Sequence, residues 1–166
     1  MKELQLVTLI KECDYSELSV EDRMLVDTAK EMTARAYAPY SHFHVGAAIM
    51  MEDGTIVTGA NQENAASPSG TCAERSACFQ AGAIYPGMRF RKIAVAAWTK
   101  SGKPEGMAME DYFQDSPISP CGACRQALLE YESRGGAPVE VILYGKNRCY
   151  IFPSVASLLP YSFTEY

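Results

Sequence analysis

Hydrophobic positions recur along this chain with two periods, and the changes of period mark out its elements. Between Ser19 and Pro39, Leu25, Ala29, Met32 and Ala36 repeat at helical spacing behind Ser19-Val-Glu-Asp22, which has capping-box form. This predicts an amphipathic helix that Pro39 stops. Two apolar, β-branched stretches follow, Phe43 to Met51 and Thr55 to Ala60, joined through Glu52-Asp53-Gly54. Asp-Gly favours a tight reversal, so the pair reads as a β-hairpin. Thr71 can cap a helix running to about Ala83, and the apolar run Ile93 to Trp98 predicts a strand covered on both faces. Ser119 followed by Pro120 has the form of an N-cap with proline at the first helical position, opening a helix to about Glu132. Val139 to Tyr144 and Cys149 to Phe152, separated by Gly145-Lys-Asn, predict two more strands, and Ser154 to Leu159 a short helix.

A hairpin followed by strands alternating with helices argues for an α/β fold: one mixed sheet of about five strands between helical layers, a three-layer α/β/α sandwich. With 166 residues the chain has room for one domain, expected to span 1–166. Thr99 to Ser116 has no clean periodicity and reads as a long inserted loop, of a length found in lids and binding loops. Hydrophobic residues at 48% and charged residues at 21% fit a soluble globular chain and support neither disorder nor a coiled coil. A net charge of −5 is the wrong sign for a protein that binds by neutralising phosphates, so no nucleic-acid partner is expected. The opening segment is interrupted by Lys11, Glu12 and Asp14, and no run approaches the ~18 apolar residues of a membrane span. The expectation is a cytoplasmic protein without a membrane partner.

The six cysteines, at 13, 72, 78, 121, 124 and 149, then read as thiols or metal ligands before disulfides. Three of them fall at predicted helix beginnings: Cys72 after Thr71, and Cys121 with Cys124 after Ser119. The positive end of a helix favours thiolate, the metal-binding form. Cys121 and Cys124, three apart, share a helix face, and Cys72 joins them only through tertiary structure. Four protein ligands close a structural zinc site, whereas three leave a position for water, so three thiols point to catalysis. Cys-x-x-Cys alone also fits a buried or redox pair, and Thr71-Cys-Ala-Glu74 also reads as a capping box in which Glu74 only satisfies backbone donors. Cys72 and Glu74, two apart, point away from each other in a regular helix.

Cys72-Ala73-Glu74 combined with Pro120-Cys121-Gly122-Ala123-Cys124 follows the ligand and glutamate pattern of zinc deaminases. Together with PYSHFHVGAA (39–48), NQENAASPSGTCAERSA (61–77), SPCGACRQ (119–126) and LLPYSF (158–163), it resembles the cytidine deaminase family of small homotetrameric nucleoside-salvage enzymes. The likeness runs from about residue 20 to the end of the chain. It implies one zinc ion per subunit held by Cys72, Cys121 and Cys124, with water as the fourth ligand. It also implies attack of that activated water at C4 of cytidine or deoxycytidine, Glu74 carrying its proton to ring N3 and then to the departing amine. Arg75 is implied to offset the negative charge of three thiolates. Asn61 and Glu63 are implied to bind the ribose hydroxyls, Phe43 to stack on the pyrimidine, and the Ala73 backbone and Ser119 carbonyl to hold the base and its amine. Phe163 resembles an aromatic that family members insert into a neighbouring subunit's site, which implies a homotetramer.

Two departures from the family pattern stand out. Ser67 takes a place where tyrosine is common, and the interval between Cys72 and Cys121 is longer than usual, the excess lying in 99–116. That insert is expected to cover the site mouth or decorate a subunit interface. Cys13, Cys78 and Cys149 match no ligand position and are expected to be packing thiols. The competing readings are a deaminase of a modified aminopyrimidine nucleoside, such as a blasticidin-type antibiotic, and a noncatalytic zinc-binding relative. A nucleic-acid editing deaminase is disfavoured by the negative charge.

Overall fold

A computed structural model describes residues 1–99 and 111–164, and among these residues there are six strands and three α-helices. In chain order they are β1 (Lys11–Cys13), α1 (Val20–Met32), β2 (Phe43–Met51), β3 (Ile56–Ala60), α2 (Ala73–Ile84), β4 (Phe90–Thr99), α3 (Gly122–Gly135), β5 (Glu140–Tyr144) and β6 (Cys149–Phe152). They form one mixed sheet in the order β1-β6-β5-β4-β2-β3. Only β4 and β5 run parallel, pairing Ile93 with Val141 and Val95 with Leu143, and α3 is the helix of the crossover between them. Five of the strands are those the sequence predicts. The sixth, β1, lies ahead of the first predicted element: Lys11 to Cys13 pairs antiparallel with β6 at the sheet edge. Its three residues carry no periodic signal, and the pairing partner alone makes them a strand.

Alternation along the central strands builds two cores. Ala47, Ile49, Val95, Val141 and Leu143 face α2 and α3, where they meet Ala77, Ala81 and Leu128. Ala48, Met50, Ala94, Ala96 and Ile142 face the other way, against Leu25, Val26 and Ala29 of α1. Each fully buried Leu, Ile or Val contributes about 1.5–3 kcal/mol, and a shift of register by one residue would exchange the two sets. The result is the expected three-layer sandwich, with α1 as the one α-helix among the described residues on its face.

The cap on α1 forms as expected, Ser19 Oγ accepting from the Asp22 amide at 3.1 Å, and the helix tightens into a 3₁₀ turn at Thr33–Arg35 before Pro39. Gly136, in the left-handed region at φ 64°, ends α3. Buried Lys30 on the α1 face pairs with Asp27 at 3.5 Å and lies over the rings of Tyr15, Phe113 and Tyr144 at 5.3, 5.6 and 4.9 Å. Tyr15 donates to Asp27 Oδ2 at 2.7 Å, and burial together with this bond pushes its phenol up to about 12. Of the predicted loop 99–116, residues 100–110 lie outside the described residues; Tyr112 and Phe113 beyond them are buried in the α1-side core.

Two glycines on neighbouring strands set how closely the helices approach. A Cβ on Gly46 would stand 2.1 Å from the Ala29 carbonyl oxygen of α1, and one on Gly59 would stand 2.4 Å from the Ala77 amide nitrogen of α2. Only glycine permits these contacts. The second of them brings the start of α2 down beside β3, at the edge of the sheet where the cleft opens.

Candidate active site

Helices α2 and α3 begin at one place, and each begins on a cysteine. Cys72 and Cys121 are the N-cap residues, with extended backbone at φ −78°, ψ 157° and φ −67°, ψ 165°. This corrects two expectations: Thr71 and Ser119 lie one and two residues before the caps, and Pro120 precedes the helix instead of opening it. Ser119 Oγ accepts from Arg125 Nη2 at 2.8 Å. Because Cys72 leaves the chain before helical rotation starts, its separation from Glu74 by two positions no longer forces the side chains apart. Both line the same cleft.

The Sγ atoms of Cys72 and Cys121 are 3.9 Å apart and those of Cys121 and Cys124 are 3.4 Å apart, with all three inside 4.8 Å of one another. Tetrahedral zinc with Zn–S bonds of about 2.3 Å spaces its sulfurs by about 3.8 Å, so the donor set fits the ion in both chemistry and spacing. Among the described residues no other cluster of this kind occurs. Cys124 is fully buried, Cys72 half-buried and Cys121 exposed, so the site opens on one side. A hydrogen bond from the Cys124 thiol, aided by Arg75 alongside, brings the Cys72 thiol down to about 5, while Cys124 is pushed up in exchange. Arg75 Nη2 is 4.0 Å from Cys72 Sγ, and its buried Nε has no partner. A guanidinium with an unsatisfied buried nitrogen beside three thiols suits a site built for concentrated negative charge.

Glu74, 3% exposed, sits in the first turn of α2 facing this cleft. Burial pushes its carboxyl up. The N-cap of α2 carries no side-chain cap bond, so the capping-box use of Glu74 is not what the fold makes of it. The first backbone N–H groups of α2, from Ala73 on, have no intrahelical acceptor; Ala73 itself is fully buried, between Cys72 and Glu74, which line the cleft.

The cleft has a volume of about 540 Å³, and Phe43, Asn61, Glu63, Ser67 and Ser119 all line it. Asn61 Oδ1 accepts from the Val45 amide at 2.8 Å and its Nδ2 donates to the Phe43 carbonyl at 2.9 Å, so one acceptor site and one donor remain. Glu63 Oε2 accepts from the amides of Tyr40 and Ser41 at 2.8 and 3.3 Å, and hydrogen bonds from Ser41 and Tyr40 hold this carboxyl below its usual range. Phe163 stands apart from the cleft lining and is 64% exposed, its carbonyl accepting from Gln126 Nε2 at 2.9 Å. Burial raises the thiols of Cys13, Cys78 and Cys149, the last two to about 12 and about 11, and all three pack in the cores as expected. Sequence reasoning missed Arg125, whose partners at 119, 120 and 158 share no spacing with it. Its one signal was its place directly after Cys124.

Residues 19–135 match the family model described as the cytidine and deoxycytidylate deaminase zinc-binding region. A cytidine deaminase of Sporosarcina psychrophila is 40% identical over 143 residues, 85% of this chain and 90% of its own length. A probable cytidine deaminase of Dictyostelium discoideum is 34% identical, over 84% of this chain and 82% of its own. Among solved structures, cytidine deaminase from Burkholderia pseudomallei matches with a TM-score of 0.68 at 38% identity, covering 84% of this chain and 97% of that one. The enzyme from Mycobacterium tuberculosis matches with a TM-score of 0.65 at 30% identity, covering 89% and 100%.

Proposed function

This chain belongs to the cytidine deaminase family, and from that premise we propose that it hydrolyses cytidine or deoxycytidine to uridine or deoxyuridine with release of ammonia. One observation carries the reading: three thiols stand at zinc spacing, and two of them, Cys72 and Cys121, line one cleft with the buried carboxyl of Glu74. Zinc held by Cys72, Cys121 and Cys124 would lower the pKa of water toward ~7 and so supply a nucleophile at neutral pH.

The remaining work falls to side chains and backbone. Glu74 accepts one proton of the attacking water and delivers it to N3 of the pyrimidine, where it stays in the product. It then carries the remaining proton of the new C4 hydroxyl to the departing amine, so that the C4 carbonyl forms as ammonia leaves. Its raised pKa suits a group that is base and then acid. The Ser119 carbonyl accepts from the exocyclic amine, the Ala73 amide donates to the base, and Phe43 stacks on the ring. Asn61 offers its remaining donor and acceptor to the ribose together with Glu63. Arg75 sets its charge against the three thiolates. Ser67 leaves a small polar wall where a larger residue would narrow the ribose side.

In this reading the chain is one deaminase domain with an insert at 99–116, working in pyrimidine salvage in the cytoplasm as a homotetramer. Support for assembly is the exposure of Phe79, Ile84 and Phe163 at 51%, 55% and 64%. No helix among the described residues is long and apolar enough to cross a membrane. The test is loss of the cytidine absorbance band on zinc-loaded protein beside Glu74→Gln. Turnover by the wild type, with a fall in kcat of about 10²–10⁴-fold in the variant at equal zinc content, supports the proposal. Full zinc without turnover of cytidine or deoxycytidine overturns it.

A further inference from the structure

One residue beyond Cys124, a single guanidinium joins three parts of the chain. Arg125 Nε donates to the Pro120 carbonyl at 2.8 Å, Nη2 to Ser119 Oγ at 2.8 Å, and Nη1 to the Leu158 carbonyl at 2.7 Å. The first two bonds brace the turn that brings Cys121 to the cleft. The third ties that turn to the C-terminal segment.

That segment is itself fastened to α3. Glu132, buried on the same helix, accepts from the amides of Val155 and Ala156 at 2.7 and 3.1 Å and from Val139 at 2.8 Å. The turn Ala156–Leu158 is thus held at its start by Glu132 and at its end by Arg125. Gln126 extends the attachment to the Phe163 carbonyl. The C-terminal segment is a fixed strut, and Arg125 is the connection from the strut to the turn.

Cys121 needs such a connection more than its two companions do. Cys124 is set by the helix and by burial, and Cys72 by the contact of α2 with β3. Cys121, like Cys72, sits on extended backbone ahead of its helix, but it alone of the three is exposed, so packing does not fix its Sγ. A planar fork of five N–H donors spread over three nitrogens reaches three separated acceptors, whereas the three donors of lysine radiate from a single nitrogen. We infer that Arg125 is a positioning residue, holding the Ser119–Cys121 turn where Cys121 meets Cys72 and Cys124. The inference rests on the proposed reading of Cys121 as a zinc ligand.

The experiment compares wild type, Arg125→Gln and Arg125→Lys as zinc-loaded full chains, well below their unfolding temperatures. Release of zinc to excess chelating dye is timed, and cytidine kcat and KM are measured on the same samples. Arg125→Gln is expected to release zinc at least about tenfold faster and to lose kcat more than it raises KM, with Arg125→Lys between the two. Release within twofold of wild type, with activity falling only as the folded fraction falls, overturns the inference. Should Arg125→Gln fail to fold, Arg125→Lys is judged by the same twofold criterion. A wild type that holds zinc but leaves cytidine untouched sinks the substrate reading, and the release rates still decide this one. If the wild type takes up no zinc, the ligand reading fails. The rate at which a thiol reagent modifies Cys121 in the metal-free chains then decides, an unchanged rate in Arg125→Gln overturning the role.

Discussion

The two faces of the sheet use the same strands, yet the α1 face and the cleft end of the α2 and α3 face treat buried polar groups in opposite ways. On the α1 face, Lys30 has Asp27 and three aromatic rings, Tyr15 has Asp27, and Trp98 donates to Thr33 Oγ1 at 2.9 Å. Every one of these charges and donors finds its answer inside the protein. On the α2 and α3 face, three thiols crowd together, a carboxyl is buried at 3% exposure, and the Arg75 Nε is left without a partner. Satisfied polar groups hold a fold together; polar groups gathered and left incomplete await something that is not protein.

The contrast is broken most directly on the cleft side. Cys121→Ala should reduce zinc from stoichiometric to near background and abolish deamination, because two thiols do not make a catalytic zinc site. Metal analysis beside the cytidine assay checks it, and full zinc retention would remove Cys121 from the ligand set. Chromatography of the same samples shows whether the fold survives.

A change of middle size belongs to the other face. Lys30→Ala leaves Asp27 without its cation and three rings without theirs, and should cost about 2 kcal/mol, or about 4–8 °C in Tm. The folded variant should keep the wild-type kcat/KM. A large loss of kcat/KM at unchanged Tm would mean that the faces do not divide structure from chemistry.

The smallest effect is a pH slope. Tyr15, at about 12 when folded, holds its proton more tightly than the unfolded chain, whose tyrosines titrate near 10. Its contribution is present in full below pH 10 and is lost as pH rises through 12. Denaturant unfolding at pH 9 to 12 should show Tyr15→Phe losing less stability over that interval than wild type, and equal losses would show that Tyr15 is not the group concerned.

What the sequence shows in advance follows the same division. Strands β2 to β6 are legible because alternation is local and both of their faces are buried. β1 is not, since Lys11, Glu12 and Cys13 become a strand only through β6. Cys72, Cys121, Cys124 and Glu74 are legible as residue types at helix starts, but one cap is misplaced by one residue and the other by two. Thr71, Ser119 and Pro120 are all good capping residues, and the fold uses the cysteines instead. The roles of Arg125 and Glu132 are invisible in the sequence, because each depends on partners brought in by the crossover and the returning C-terminal segment.

Gly59 deserves a different description in this light: it is a gauge. The hydrogen atom it carries in place of a methyl sets the distance from β3 to α2, and α2 delivers Cys72 toward the two thiols of α3. Alanine there would put a methyl 2.4 Å from the Ala77 amide nitrogen and 2.5 Å from the Ala73 carbonyl oxygen, so that strand and helix, with Cys72 at the helix's head, would have to move apart. The dimensions of the metal site are therefore recorded at a position with no side chain and no ligand contact, and an engineer who wished to retune the metal would begin at that glycine, leaving the cysteines alone.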